Sequence, residues 1–552
     1  MPLIVIRSLM PLHKLHRSIF FGPAVIVVVW IAVVATLDPA GSYPRMPQGP
    51  GLTVDEMFNV EQGVYLTEAM RGYGLGLLDL RSIREVFGQP EYLPDHPPLG
   101  RVWLGVHHQL ARGIAPPSDP VAGSIAVTAC ARTGSATAFA LTILLIGWFA
   151  GKHYGLLAGW SAALCLALMP RLGGHAHLAS LETITNLTCS LAVLCVADRW
   201  SGPASPSLRS SLLAGAWLGL AFLTKIQAIL LPLPIIVWAL WRWRSVAIKP
   251  LSIWGVTAAV VFFVGWPWLW LDPLANLRGY FARTTARATL SVWYFGQQYQ
   301  DFDVPWHYAW VMFAVTIPLA TLLLGVYGLF ARKATAEDHG VRWLLAVGIV
   351  LPLVVFSLPK IAVYDSERLF LNVFPLWAIL AGRGAQLVYD RTSRKWIPGG
   401  VLAALLLWQA GAVIAYQPCG LSYYNLLTGG VAGAERLGLE TTYWGDSITR
   451  TLLNEVVRAV PAGSRVMVAP VLHQFQLDDL ERQSPILRRH GIRLIPYGTS
   501  PPAAEYLLLF RRRADLPDEL RFGPVDAELR AETRRGGVQL AALYRLSGTS
   551  SP

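Results

Sequence analysis

Three short segments hold the side chains best suited to moving protons. The first is Val54-Asp55-Glu56-Met57-Phe58, where adjacent carboxylates suit general acid or base work. Successive helical residues point about 100° apart, so one of the pair faces a site and the other faces away. Standing alone, the pair reads first as a solvated loop carboxylate or a helix N-cap. The second, Asp95-His96-Pro97-Pro98-Leu99-Gly100-Arg101, joins a carboxylate, an imidazole and a guanidinium across two prolines. Their fixed φ angles hold polar groups at little ordering cost, although the same run reads as an extended connector capping the next helix. The third runs from Pro170-Arg171 through His175 and His177 to Glu182. If 175 to 182 is helical, His175 and Glu182 share a face while His177 points elsewhere, a phase that works against a three-ligand metal site.

Cations complement these carboxylates. Lys225, Arg278, Arg283, Lys360 and Arg368 each lie at or near the edge of an apolar stretch. A cation in hydrocarbon costs about 2.5–3.5 kcal/mol on insertion scales. Singly, each is explained by snorkelling to headgroups; as a set converging with carboxylates they suggest a lipid-phosphate site. Two aromatic runs, Gly265 to Asp272 and Val304-Pro305-Trp306-His307-Tyr308-Ala309-Trp310, suit an interfacial belt or sugar stacking, and composition does not separate the two.

The elements that position these groups are membrane helices. The chain of 552 residues is 54% hydrophobic and 14% charged, against about 25% charged in soluble proteins. Apolar runs predict about eleven transmembrane helices, near 19–37, 125–150, 155–170, 183–197, 211–224, 226–241, 251–271, 307–330, 342–358, 369–388 and 398–415. The alternate loops carry Lys152; Arg199 and Arg209; Arg242, Arg244 and Lys249; Arg332 and Lys333; Arg391, Arg394 and Lys395. They join a basic N-terminus bearing Arg7, Lys14 and Arg17 on the side that the positive-inside rule makes cytoplasmic. The opposite side receives a long first loop (38–124), the turns at 171–182 and at Lys225, the loops 272–306 and 359–368, and everything after 416.

The net charge of +12 is dispersed in these topological clusters, which speaks against nucleic-acid binding. Five cysteines without metal-type spacing predict neither a disulfide framework nor a zinc site. The first apolar run ends at Leu37-Asp38-Pro39, a poor cleavage site, so an uncleaved first helix is expected. No internal or inverted repeat is evident, unlike the commonest transporters. Beyond residue 440 charge becomes dense and short apolar runs, Arg465 to Ala469, Ile492 to Ile495 and Tyr506 to Phe510, are bounded by Pro and Gly. The division is therefore a transmembrane part, 1–415, and a small soluble α/β domain, 416–552, outside the membrane.

The order of these motifs resembles the GT-C class of membrane glycosyltransferases, specifically the dolichyl-phosphate-mannose protein mannosyltransferases and the lipid A aminoarabinose transferases. Asp55-Glu56 corresponds to that family's acidic pair early in the first outer loop, and His96-Pro97-Pro98-Leu99-Gly100-Arg101 to its HPPL motif followed by a small residue and a base. Glu182 matches its second acidic position, Leu223-Thr224-Lys225 its Lys at a helix end, and Arg368-Leu369-Phe370-Leu371 up to Pro375 its late basic motif. The likeness covers roughly residues 50–380. Departures are Arg101 in place of Lys, Glu182 where many members have Asp, and a terminal domain that these motifs do not match.

The resemblance implies a mainly α, polytopic GT-C fold and a polyprenyl-phosphate sugar donor. Its sugar passes, with inversion, to a hydroxyl on a lipid, glycan or protein at the outer face of the plasma (inner) membrane. It implies Asp55, Glu56 and Glu182 as the acidic catalytic set, with Asp55 as base, and Arg101, Lys225, Lys360 and Arg368 at the donor phosphate. Asp95, His96, His175, Trp306 and His307 are then candidates for substrate binding. No cofactor is obligatory, while His96, His175 and Glu182 leave a divalent cation possible. A polymerase or ligase with a pyrophosphate donor, a lipid or solute transporter and a structural subunit are the alternatives.

Overall fold

The computed structural model describes residues 12–119, 126–285, 288–331, 336–471, 473–499 and 504–546. Arg7, Arg332 and Lys333 lie outside them. Each of the eleven apolar runs contains helix: Leu12–Val34, Thr128–Tyr154, Leu156–Ala167, Glu182–Arg199, Leu208–Phe222, Pro232–Trp243, Ile248–Val264, Tyr308–Thr316 with Leu319–Phe330, Ala336–Val355, Val373–Arg391 and Trp396–Tyr416.

Proline punctuates them more sharply than expected. The run 307–330 is two helices at 113°, broken where Ile317 takes the extended conformation that a following Pro318 favours. The run 251–271 stops at Val264, and Pro267 then starts a separate short turn, Trp268–Leu271. Among the described residues three stretches are long and apolar enough to cross a bilayer: Thr128–Tyr154, Ile226–Val264 and Trp396–Tyr416. Counting each bent pair as one span gives up to five. Among the described residues, Pro23–Val34, Leu208–Phe222 and Gly340–Val355 are shorter apolar helices.

One apolar core joins these helices, from Val33 through Phe149, Trp238 and Trp377, and reaches Cys419, Tyr424, Leu439 and Leu540. Trp396–Tyr416 stands apart, burying only Gln409, which accepts from Thr321 Oγ1 (3.1 Å) and donates to the Cys165 carbonyl (3.2 Å). The first loop folds into helices Val54–Tyr73, Leu80–Phe87 and Pro98–Ile114. Gly63 and Gly105 let the first and third of these touch backbone to backbone; a Cβ on Gly105 would meet the Gly63 carbonyl oxygen at 2.0 Å.

A hairpin, β1 (Ser291–Tyr294) and β2 (Gln297–Gln300), lies in the loop 272–306. The C-terminal sheet comprises β3 (Arg465–Ala469), β4 (Arg493–Pro496), β5 (Tyr506–Phe510), β6 (Ala527–Arg535) and β7 (Val538–Leu546), in the order β4-β3-β5-β7-β6. The first three are parallel and β7 runs antiparallel to both its neighbours. Gly536 and Gly537, both at positive φ, close the β6–β7 hairpin in the geometry its twist favours.

Candidate active site

Thr53 and Glu56 begin the helix Val54–Tyr73. The Thr53 N–H donates to Glu56 Oε2 (2.9 Å), the backward reach of a capping box. Glu56 is otherwise claimed by Arg132, which donates to both of its oxygens at 2.7 Å, and by the Ala179 N–H at 2.6 Å. Neither charged side chain is exposed. Both Glu56 oxygens are thus occupied and buried. Asp55, one residue earlier, points away from this lock and keeps 38% of its side chain exposed.

Arg368, from the loop after the helix Ala336–Val355, meets Asp55 through Nη2, Glu182 through Nε (2.7 Å) and Asp365 through Nη1 (3.0 Å). Lys225 Nζ donates to the same Glu182 oxygen at 2.6 Å. A contact between Thr188 and Thr224 (3.2 Å) ties the helix that starts at Glu182 to the chain segment that ends at Lys225. The site thus gathers Asp55, Glu182, Lys225 and Arg368 from four separate parts of the chain. Glu182 is buried with Oε2 unpartnered, and Tyr443 lies 5.8 Å from the Arg368 guanidinium. Such a set can take a proton at Asp55 and neutralise an anion between two cations.

A second buried layer supports it. Arg171 donates to Glu367 (2.8 Å) and to the Tyr423 carbonyl (2.8 Å) and lies over Tyr424. Asp365 and Glu367 precede Arg368 in Asp365-Ser366-Glu367-Arg368 and carry no motif that marks them in the sequence, and Arg132 and Arg512 find partners far away in the chain.

Other candidates are placed elsewhere. Arg101 is buried in a two-pronged pair with Asp95 (2.7 and 3.0 Å) and also donates to the Leu93 carbonyl (2.8 Å), so its fork holds the loop. That engagement ties Arg101 to the first loop. Burial raises the Asp95 carboxyl, but the Arg101 guanidinium outweighs it and holds Asp95 below the usual carboxylate range. Burial, aided by Arg101 and Lys225, pushes His96 down to about 4 and keeps it neutral. Its Nδ1 has no partner, and the Leu99 N–H bond to the Leu223 carbonyl (3.0 Å) keeps this motif beside Lys225. Lys360 is exposed and pairs with Asp303 (2.6 Å), outside the cluster.

Trp306 is 68% exposed and His307 bonds Tyr294 (2.8 Å) on the β1–β2 hairpin. Trp266 is buried against Tyr92 and the helix Leu80–Phe87, which makes that aromatic run core packing. The helix Pro170–Ala176 ends before Glu182 begins the next, so His175 and Glu182 do not share one helical face as expected. His175 instead faces Glu367 (3.6 Å), and His177 bonds Thr36 and Gly173. Among the described residues no three His, Cys, Asp or Glu form a group that could hold a metal ion.

Comparison with solved structures defines the class by fold. ArnT from Cupriavidus metallidurans in the apo state is 14% identical, with 96% of this chain and 98% of that chain covered and a TM-score of 0.50. The same protein bound to undecaprenyl phosphate gives 15%, 97%, 99% and 0.49. The archaeal oligosaccharyltransferase AglB from Archaeoglobus fulgidus gives 10%, 89%, 69% and 0.45. The chain has the GT-C membrane glycosyltransferase fold. Within it, residues 125–270 match the dolichyl-phosphate-mannose-protein mannosyltransferase family, in agreement with the resemblance of the motifs. No curated protein matches the chain.

Proposed function

We propose that this protein transfers a sugar from a polyprenyl-phosphate donor to a hydroxyl acceptor, with inversion at the anomeric carbon. One observation carries the reading: Asp55 is 38% exposed, beside Glu182 at 2%, Lys225 at 8% and Arg368 at 11%. An accessible base thus adjoins two nearly buried cations that share a carboxylate. The match of residues 125–270 to a family named for a polyprenyl-phosphate sugar donor supports the same chemistry.

In this mechanism the acceptor oxygen attacks the anomeric carbon as its proton passes to Asp55. The bond from that carbon to the phosphate oxygen breaks on the opposite side, and Lys225 and Arg368 take up the charge of the departing lipid phosphate. Arg368 couples the two events: a phosphate drawing its guanidinium loosens its hold on Asp55. Glu182 orients both cations through the single oxygen they share. With two cations at a monophosphate leaving group, no obligatory metal is required, and His96 lines the donor side as a neutral hydrogen-bonding group. The site face is extracytoplasmic by the positive-inside rule, and the acceptor is a lipid, glycan or protein hydroxyl.

The test is transfer of radiolabelled sugar from synthetic polyprenyl-phosphate donors in proteoliposomes, with wild type and Asp55→Asn at equal protein. Transfer or donor hydrolysis lost in the variant supports the reading. Equal turnover removes Asp55 as base, and movement of intact labelled lipid without cleavage replaces the transferase with a transporter.

A further inference from the structure

Asp365 sits between two arginines, one three residues after it and the other from the C-terminal sheet region. Its Oδ2 accepts from Arg368 Nη1 (3.0 Å), and its Oδ1 lies 3.0 Å from Nη2 of Arg512, just past β5 in the C-terminal sheet. Trp444 Nε1 reaches both oxygens at 3.2 and 3.3 Å, while the Arg512 guanidinium stacks 3.7 Å above the Trp444 ring. Arg512 is further fixed by Asp515 (2.6 Å). The Asp365 side chain has no exposed surface and that of Arg512 is 3% exposed, so water does not screen this bridge.

The backbone beneath it is unusual. Asp365 and Ser366 both have positive φ, 56° and 59°, a region that few non-glycine residues occupy and that two in succession rarely share. Tyr308 holds one side by accepting the Ser366 N–H (3.0 Å). Arg512 and Trp444 hold the other.

We infer that Arg512 is a positioning residue for the donor-phosphate site: through Asp365 it sets the orientation of Arg368, so the C-terminal domain completes that site. This rests on the reading of Arg368 as a phosphate ligand. The carboxylate shared by two arginines leaves Arg368 with a defined fork direction, and the loss of Arg512 frees Asp365 to neutralise Arg368 more fully and lets the loop relax. The cost falls on the affinity for phosphate, because Arg512 does not contact Asp55 or Glu182.

The experiment measures equilibrium binding of a polyprenyl monophosphate carrying no sugar to the full chain in nanodiscs, for Arg368→Gln, Arg512→Gln and the double variant. Thermal unfolding is recorded for each. Expected are a weakening of roughly threefold to tenfold in Arg512→Gln and no further loss when it is added to Arg368→Gln. Losses that multiply, or Arg512→Gln binding like wild type while Arg368→Gln is weakened, overturn the positioning role. Unchanged binding in Arg368→Gln overturns the phosphate reading, and the proposal with it. Should Arg512→Gln fail to fold, Trp444→Phe takes its place: it removes one donor to Asp365 and keeps a ring in position. The same severalfold loss is expected, again absent in the Arg368→Gln background.

Discussion

Arg132 closes a two-pronged ion pair on Glu56, both contacts at 2.7 Å, in a place neither side chain shares with solvent. The remaining guanidinium N–H groups reach the carbonyls of Leu37, Pro50 and Gly51. Removing one partner of such a pair strands a buried charge, at a cost of about 3–5 kcal/mol. Glu56→Ala is therefore expected to lower the unfolding temperature of the purified protein strongly, whereas Asp55→Asn stays near wild type. Equal unfolding temperatures for Glu56→Ala and wild type would remove the lock.

Asp55 and Glu182 share Arg368 but differ in access, and their variants should separate in kinetics. Asp55→Asn keeps the shape and loses the base, so kcat is expected to fall by about 10²–10⁴ with little change in donor KM. Glu182→Gln disturbs Lys225 and Arg368 together and is expected to raise donor KM as well. Steady-state rates at varied donor concentration decide this. A larger kcat loss in Glu182→Gln, with Asp55→Asn active, would exchange their roles.

Much of this architecture is legible in the sequence because lipid-facing helices advertise themselves by uninterrupted apolar runs. β3 and β5 were legible as apolar runs bounded by Pro and Gly. The β6–β7 hairpin was not. β6, Ala527–Arg535, is mostly exposed and rich in Glu and Arg, which masks its alternation, and only Gly536-Gly537 marked the turn. Asp55 and Lys225 stand out in the sequence through motifs, Asp55-Glu56 and Leu223-Thr224-Lys225, rather than through composition. Arg132 and Arg512 gave no local signal, since their partners, Glu56 and Asp365, are distant in sequence and burial is a tertiary property. The seven-residue spacing of His175 and Glu182 gives a shared face only within one helix, and the helix stops at Ala176.

Arg101 and Asp95 make the contrast with Lys225 measurable. Arg101 spends its fork on Asp95 and the Leu93 carbonyl, so Arg101→Lys should loosen the first loop without removing a phosphate ligand. Donor KM is expected to change less in Arg101→Lys than in Lys225→Gln, with the unfolding temperature falling in the former. A donor KM more sensitive to Arg101→Lys would return Arg101 to the phosphate.

Asp446 and Glu440 set a pH dependence in the C-terminal region. Burial pushes both carboxyls up to about 7. Asp446 accepts the Tyr443 N–H (3.2 Å) through Oδ1 while its Oδ2 has no partner. Glu440 accepts the N–H groups of Arg513 (3.1 Å) and Ala514 (3.0 Å). In the unfolded chain each releases its proton near pH 4; folded, each holds it to about 7, so its stabilising contribution is complete at low pH and is lost as pH rises through that window. Burial pushes His177 down to about 4, which acts in the opposite sense by favouring the folded state as pH rises toward 6.5. A variant that alters Asp446 alone isolates its share. Asp446→Asn cannot ionise, so it is expected to exceed wild type in stability by on the order of 2–4 kcal/mol at pH 8, with the difference shrinking toward pH 5. Unfolding temperatures of the two proteins across pH 5 to 8 test this, and a constant or inverted difference would mean that Asp446 is charged in the folded protein throughout that range.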